Sequence, residues 1–263
     1  MRRQVVIGVM VVLVSWVMAS LNLVTRRLRA ATAPVTPIVM VPGSHATANR
    51  FDQLVTLLNR QSTSPHSLLK VTVQRDGTCQ VQGQFRPEKA APMIVIGFAD
   101  NADGVQNIRR QANWVRVALT ALVQRYQFHH VQFLGHSNGG LALTYFLEHD
   151  AATVPVTVHK LMTIAAPYNL TDANDHGETV MLKSLIACHH QLPKRLTVYA
   201  VAGAKTYNTD GEVPLASALA GRYIYQGQVK AYTELTVTGS QTQHSQLLQN
   251  QQIVQLVRNF MLT

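Results

Sequence analysis

Ser137 is the residue whose surroundings point most directly to chemistry, because it lies at the centre of Gly135-His136-Ser137-Asn138-Gly139. This spacing of glycines is typical of a serine nucleophile held on a sharp turn between a strand and a helix. The serine on such a turn has a strained backbone, and the flanking positions must be nearly free of side chain where the strand and helix pass each other. The spacing therefore predicts that Ser137 is a nucleophile.

The segments on both sides of this turn agree with that prediction. Residues 131–134 read as a short buried strand. Residues 141–147 form an apolar run that is too long and too rich in leucine for a turn, and it ends at the polar residues 148–150. The predicted order is therefore strand, turn and helix, as a nucleophilic serine of this kind requires.

His244 is the predicted general base. A serine hydroxyl needs a histidine to take its proton. In folds that hold the serine on such a strand-to-helix turn, the acid and then the histidine follow the serine along the chain. His244 lies in a polar loop between the last predicted strand and the last predicted helix. His136 is the serine's neighbour around a tight turn, so we expect it to pack beside the sheet. Three further histidines lack the placement of His244, namely His149, His159 and His176.

Asp210 is the predicted acid that orients His244. It lies in a turn-rich segment after the predicted strand 196–202, and active sites of open parallel sheets lie at the carboxyl ends of their strands. Asp172, Asp175 and Glu212 are the alternatives. A structural role is also open for Asp210, because aspartates in turns commonly accept hydrogen bonds from their own backbone.

Two backbone N–H groups are needed to stabilise the oxyanion that forms during acyl transfer. The first is predicted to come from Asn138, the residue after the nucleophile. The second is predicted to come from Ser44, because Pro42-Gly43-Ser44 follows the first predicted strand. His45 is the near alternative.

The elements that must position these residues alternate between strands and helices. This order predicts an α/β fold with a mostly parallel central sheet and helices on both of its faces. Asp76-Gly77 predicts a hairpin. The predicted strands are 38–41, 70–74, 80–85, 93–99, 131–134, 160–165, 196–202 and 235–238, and the predicted helices are 51–60, 105–122, 141–147 and 245–261.

The first 29 residues are predicted to be a membrane anchor. Residues 5–24 form an uncharged, mostly aliphatic stretch of about twenty residues, which is long enough to cross the hydrocarbon layer as a helix. Three arginines follow this stretch, whereas a cleaved signal peptide usually has a shorter apolar core and small residues there. Secretion after cleavage near Ala31-Thr32-Ala33 is the alternative. Residues 30–37 are predicted to be a linker, and residues 38–263 one catalytic domain.

Charge and cysteine content exclude several classes of partner. The formal net charge of +10 falls to +5 when the five arginines before residue 30 are left out, and the remaining basic residues are scattered. The chain lacks a recognition motif for nucleic acid, so nucleic acid is not an expected partner. Cys79 and Cys188 belong to no metal-ligand spacing and are expected to be free thiols or a disulfide. We expect neither a metal nor a cofactor.

Taken together, these segments resemble the α/β-hydrolase superfamily, and more narrowly a group of Gram-positive cell-surface hydrolases of unknown substrate. The resemblance covers most of the chain after the predicted anchor of residues 1–29. It implies a triad of Ser137, Asp210 and His244 and an extracytoplasmic domain behind the anchor. Two positions depart from the family's usual pattern, because Pro42 replaces a histidine of the oxyanion loop and Asn138 replaces a methionine. The resemblance rests on residues 38–43, the helix through Trp114, 135–140, 165–169, 210–214 and 243–245.

These observations predict a membrane-anchored serine hydrolase that acts on a small-molecule ester as a carboxylesterase. A cell-surface binding protein without turnover and an acyltransferase are the alternatives. Residues 168–193 are longer than a simple crossover needs, so they are predicted to form either a small cap over the pocket or an ordinary crossover helix with long loops.

Overall fold

An eight-stranded sheet runs through the centre of the structure. The computed structural model describes residues 35–60, 62–170 and 177–262. The strands are ordered β3-β2-β4-β1-β5-β6-β7-β8, and all neighbours are parallel except β2 and β3. Their bounds are β1 Ile38–Val41, β2 Leu68–Val73, β3 Cys79–Gly83, β4 Met93–Phe98, β5 His130–His136, β6 Thr157–Ile164, β7 Thr197–Ala204 and β8 Ala231–Thr238.

Helices cover both faces of this sheet. The α-helices are α1 Asp52–Asn59, α2 Val105–Tyr126, α3 Asn138–His149, α4 Val180–Cys188, α5 Leu215–Leu219, α6 Arg222–Tyr225 and α7 Gln251–Met261. Short 3-10 helices lie at Ala151–Thr153, His189–Gln191 and His244–Gln249. The predicted fold, a mostly parallel sheet with helices on both faces, is thereby confirmed.

The alternation of side chains along β1 shows how the sheet builds two hydrophobic cores. Val39 and Val41 pack in the core formed with α2, α3 and α4, whereas Ile38 and Met40 pack in the core formed with α1 and α7. Successive residues of a strand point to opposite faces, so a central strand covered on both sides must be apolar throughout. All four residues of β1 and all six of β4 are buried, which explains why the sequence marks these strands as continuous apolar runs.

The hairpin predicted at Asp76-Gly77 joins β2 to β3, the antiparallel pair. Gly77 has φ +85°, a conformation that glycine adopts at little cost. β3 lies at the edge of the sheet, and most of its residues are exposed.

The last helix differs from its prediction. The sequence predicts a single helix over residues 245–261, whereas the structure has a 3-10 helix followed by α7, with Asn250 between them. The Asn250 side chain accepts hydrogen bonds from the N–H groups of Gln252 and Ile253 at 2.8 and 3.2 Å, which starts a new helix. Asn250 also donates to the carbonyl of Ser240 at 2.8 Å and so ties α7 to the loop before His244.

The segment between β6 and β7 is described only in part, because residues 171–176 lie outside the described ranges. Its helix α4 packs against α3 and α6, and Met181, Leu182 and Leu185 are buried in the core. The prediction of a cap over residues 168–193 stays a prediction.

The predicted anchor of residues 1–29 and the greater part of the linker also lie outside the described residues. Within the described ranges, the structure has no helix long and apolar enough to cross a membrane. Cys79 and Cys188 are both free and partly buried. Burial raises the pKa of both thiols, so they are poor nucleophiles at neutral pH.

Glu148 is an unusual feature of the core near the end of α3. Its side chain is 5% exposed, and neither carboxyl oxygen has a hydrogen-bond partner among the described residues. Burial raises the pKa of this carboxyl to about 9, so Glu148 is protonated and neutral at neutral pH.

Candidate active site

Ser137 lies on the turn between β5 and α3 with φ 54° and ψ −134°, a backbone conformation that is strained for a residue with a side chain. The two glycines of the pattern explain how the turn fits. A Cβ atom at Gly139 would lie 2.1 Å from the carbonyl oxygen of Val41, and one at Gly135 would lie 2.6 Å from Cα of Gly140. Any larger residue at either position would therefore collide with backbone.

The topology brings the other predicted residues to the same edge of the sheet. β1, β5, β7 and β8 are parallel, so their carboxyl ends meet at one edge. Ser44, Ser137, Asp210 and His244 follow these four strands in that order.

His244 and Asp210 are joined by a short hydrogen bond. Nδ1 of His244 lies 2.7 Å from Oδ2 of Asp210, and the backbone N–H of His244 donates to the carbonyl of Asp210 at 3.0 Å. The residues are 5% and 1% exposed, so the pair is shielded from water. When the ring is neutral and its proton lies on Nδ1 toward the carboxylate, Nε2 is free to accept a proton.

Asp210 also has the structural role that its turn suggested. Its Oδ1 accepts hydrogen bonds from the N–H groups of Glu212 and Val213 at 3.0 and 2.7 Å. The two oxygens of Asp210 therefore have different partners, because Oδ1 holds the turn while Oδ2 faces His244. The turn and the imidazole together leave the carboxylate no freedom to rotate.

The alternatives for the acid are placed differently. Glu212 is near the other ring nitrogen, with Oε2 3.8 Å from Nε2 of His244, and its side chain is 58% exposed. Asp172 and Asp175 lie outside the described residues, as does His176. Of the described carboxylates, Asp210 is the one within hydrogen-bonding distance of His244.

The loop of residues 42–45 offers two candidates for the second oxyanion donor, and its hydrogen bonds favour the N–H of Ser44 over that of His45. The N–H of His45 donates to the carbonyl of Asn101 at 2.7 Å and is therefore already used. No described group accepts a hydrogen bond from the N–H of Ser44 or of Asn138. The loop also lies close to Ser137, because a Cβ atom at Gly43 would be 2.6 Å from Cβ of Ser137.

The side chain of Asn138 joins this loop to the nucleophile turn. Its Nδ2 donates to Oγ of Ser44 at 2.8 Å and to Oδ1 of Asp103 at 2.9 Å. Oδ2 of Asp103 in turn lies 3.1 Å from Nε2 of His45. Sequence reasoning missed Asp103, although the loop that carries it follows β4 and so reaches the same edge of the sheet.

His136 is buried as expected, but it also touches His244. Its Nε2 lies 3.2 Å from the carbonyl oxygen of His244, and the two ring centroids are 4.7 Å apart. Burial, followed by the charges of His244 and Arg50, holds the pKa of His136 well below its usual range. A neutral ring that donates Nε2–H to the His244 carbonyl fits this setting, so His136 supports the position of His244.

Ser137 and His244 line one cavity of about 640 Å³, which Ser44, Asn138, Arg50 and Glu212 also border. The cavity wall combines polar side chains with apolar surface from residues such as Pro167 and Val213. The described residues contain no group of three or more His, Cys, Asp or Glu side chains that could hold a metal ion. The arrangement brings a serine, a histidine hydrogen-bonded to an aspartate, and two backbone N–H groups to a space large enough for a small molecule.

Comparison with known proteins places this chain in a family. A family model described as an alpha/beta hydrolase of unknown function (DUF915) matches residues 25–263. No curated protein matches the chain.

Two solved structures are similar in both sequence and fold. The "putative cell surface hydrolase" from Lactobacillus plantarum WCFS1 is 48% identical with a TM-score of 0.80, over 88% of this chain and 93% of that one. A gene product of Listeria innocua is 30% identical with a TM-score of 0.79, over 86% and 93%. A Bacillus licheniformis lipase in its mature form shares the fold alone, at 12% identity and a TM-score of 0.52 over 88% and 94% of the two chains. This chain therefore belongs to the DUF915 family of α/β hydrolases.

Proposed function

We propose that this protein is a serine hydrolase that cleaves carboxylic esters through an acyl-enzyme on Ser137. The observation that carries the proposal is the 2.7 Å hydrogen bond between His244 and the buried Asp210, on the cavity that Ser137 also lines. A histidine held in this way has its free nitrogen available as a base.

The proposed reaction has two steps. Nε2 of His244 takes the proton of the Ser137 hydroxyl while Oγ attacks the ester carbonyl, and the resulting imidazolium gives that proton to the departing alcohol. The same nitrogen then takes a proton from a water molecule that attacks the acyl-enzyme. The bond between Ser137 Oγ and the acyl carbon breaks, the imidazolium returns its proton to Oγ, and the acid is released. Asp210 holds the proton of His244 on Nδ1 and stabilises the imidazolium in both steps.

The N–H groups of Ser44 and Asn138 are the proposed donors to the oxyanion of each tetrahedral intermediate. Ser44 is favoured because its N–H has no acceptor among the described residues, whereas that of His45 is bound to Asn101. Donors that are already held in place cost no reorganisation when the charge develops.

We also propose that the catalytic domain lies outside the cell and is held at the membrane by residues 1–29. The uncharged stretch of residues 5–24 supports the anchor. The printed name of the Lactobacillus plantarum relative, which refers to the cell surface, supports the location.

Labelling with a fluorophosphonate, which reacts with activated serines, tests the proposed nucleophile. We expect wild type to be labelled and to hydrolyse 4-nitrophenyl acetate, and we expect Ser137→Ala and His244→Ala to lose both. Ser240→Ala, which changes an exposed serine of the His244 loop, is the matched control and should behave as wild type.

Labelling that persists in Ser137→Ala would show that another residue is the nucleophile. A folded wild type that is neither labelled nor active on esters would favour a binding protein that has kept the fold without turnover. Circular dichroism of each variant separates these outcomes from a failure to fold.

A further inference from the structure

The Arg50 guanidinium borders the Ser137 cavity, and it has no close acidic partner in the part of the chain that the structure describes. No carboxylate oxygen among residues 35–60, 62–170 and 177–262 lies within 4.0 Å of its nitrogens. A half-buried cation normally has such a partner, because removing it from water is costly. The position therefore suggests that its partner arrives with the substrate.

The hydrogen bonds that Arg50 makes with described residues leave most of its donors unused. One terminal nitrogen donates to the carbonyl oxygen of His244 at a long 3.4 Å. The same nitrogen is 3.4 Å from Nε2 of His136, but this Nε2 donates to the His244 carbonyl and so cannot accept as well. A guanidinium has five N–H donors, and an oxyanion with two adjacent oxygens, such as a carboxylate or phosphate, can accept two of them at once.

The local fold does not explain an arginine at this position. Arg50 lies two residues before the start of α1, where the helix dipole favours anions over cations. Burial lowers the pKa of Arg50, and Glu212 partly offsets this effect. Arginine remains charged despite such a shift, so a positive charge stands in the cavity at a cost to the fold.

We propose that the substrate carries an oxyanion, a carboxylate or a phosphate, on its alcohol part, and that Arg50 binds it. This inference rests on the proposed esterase function. The alcohol part is assigned because His244 must reach the departing oxygen, so that part of the ester lies on the His244 side, where Arg50 contacts the His244 carbonyl. Arg50 is thus a specificity-determining residue.

Two carboxylates also border the cavity, but they weaken this assignment little. The side chains of Asp103 and Glu212 are 64% and 58% exposed, so water and salt screen their charges. Asp103 is also paired with His45 at 3.1 Å. The charge of Arg50 is less exposed than either carboxylate and is therefore screened less.

Matched acetate esters test the proposal. The anionic esters are 4-acetoxybenzoate and 4-acetoxyphenyl phosphate, and the neutral one is 4-acetoxybenzamide. For each ester, the enzymatic rate constant kcat/KM is divided by the rate constant for its hydrolysis in alkali. A hydrogen-bonded charge pair of this kind changes a rate constant by about 10- to 100-fold. We expect wild type to show this preference in kcat/KM for at least one anionic ester, with the preferred oxyanion distinguishing carboxylate from phosphate.

Variants of Arg50 then separate recognition from support of the fold. Arg50→Gln should abolish the preference, Arg50→Lys should keep part of it, and Arg86→Gln should keep all of it, because Arg86 is an exposed arginine outside the cavity. A purely structural role would slow the neutral and anionic esters by the same factor in Arg50→Gln.

Equal kcat/KM for neutral and anionic esters in a wild type that fluorophosphonate labels would overturn this inference alone. An unchanged preference in Arg50→Gln would overturn it as well. Absence of both labelling and ester hydrolysis in folded wild type would overturn the proposed function, and this inference with it.

Discussion

Replacement of Asp210 by asparagine tests whether its carboxylate sets the proton on His244. The side-chain oxygen of the introduced amide would keep the hydrogen bonds from the N–H groups of Glu212 and Val213, so the turn should survive. The amide nitrogen would then face Nδ1 of His244 as a donor. The reverse orientation would set that amide nitrogen against two backbone donors and is disfavoured.

The expected loss follows from the position of the proton. With a donor opposite Nδ1, His244 must carry its proton on Nε2, the nitrogen that accepts the Ser137 proton in the proposed reaction. A triad histidine held in this tautomer loses about 10⁴-fold in kcat, or about 5.5 kcal/mol of transition-state stabilisation. The global fold is not affected by this mechanism, so the melting temperature of Asp210→Asn should stay within a few degrees of wild type.

Steady-state hydrolysis of 4-nitrophenyl acetate measures kcat, and thermal unfolding measures the melting temperature. Asp210→Ala should lose the same activity and also about 2 kcal/mol of stability, since two hydrogen bonds of about 1 kcal/mol hold the turn. Glu212→Gln should change kcat by less than about tenfold, because its carboxylate is exposed and lies near the other nitrogen. Near-normal activity of Asp210→Asn, with an inactive Glu212→Gln, would refute this assignment of the acid.

Three further predictions concern the surroundings of the site and the core. Asn138→Ala keeps the backbone N–H but loses the bonds to Ser44 and Asp103, so kcat should fall about tenfold with an unchanged fold by circular dichroism. Gly139→Ala places a Cβ atom 2.1 Å from a backbone oxygen and should cost several kcal/mol in urea unfolding, against about 1 kcal/mol for Gly227→Ala, which has φ +76° and open space. Glu148 has a folded pKa of about 9 against 4.5 unfolded, so wild-type stability should fall as pH rises from about 4.5 to 9, by about 3 kcal/mol at pH 7. Glu148→Gln should remove this fall. If the melting temperatures of the two proteins changed in parallel over that pH range, this prediction would be contradicted.

The parts of this molecule that are predictable from the sequence are those that depend on local sterics or on burial. Gly135 and Gly139 are required by backbone contacts within the turn itself, so their spacing is visible in the chain. β1 and β4 are buried on both faces and therefore appear as apolar runs. The sequence predicts β8 only over 235–238, because residues 231–234 at this edge of the sheet are exposed or partly exposed and have no apolar pattern.

The parts that are not predictable from the sequence depend on contacts between loops. Asp103, Ser44 and Asn138 follow three different strands, and their hydrogen bonds exist only after the sheet has aligned those strands. The contact between Arg50 and the carbonyl of His244 joins residues 194 positions apart. No spacing rule covers such pairs, although the rule that parallel strands share one carboxyl edge limits where they can form.

The loop that carries His244 is held by contacts of several kinds, and this explains how one histidine can be positioned by a polar loop. The backbone of His244 is bonded to Asp210 at one end, and Asn250 ties the start of α7 to Ser240 at the other. Behind the loop, β7 approaches so closely that a Cβ atom at Gly203 would lie 2.7 Å from Leu247 and 3.1 Å from Cβ of Asp210. All of these contacts are made within the folded domain itself, so they position His244 before any substrate binds.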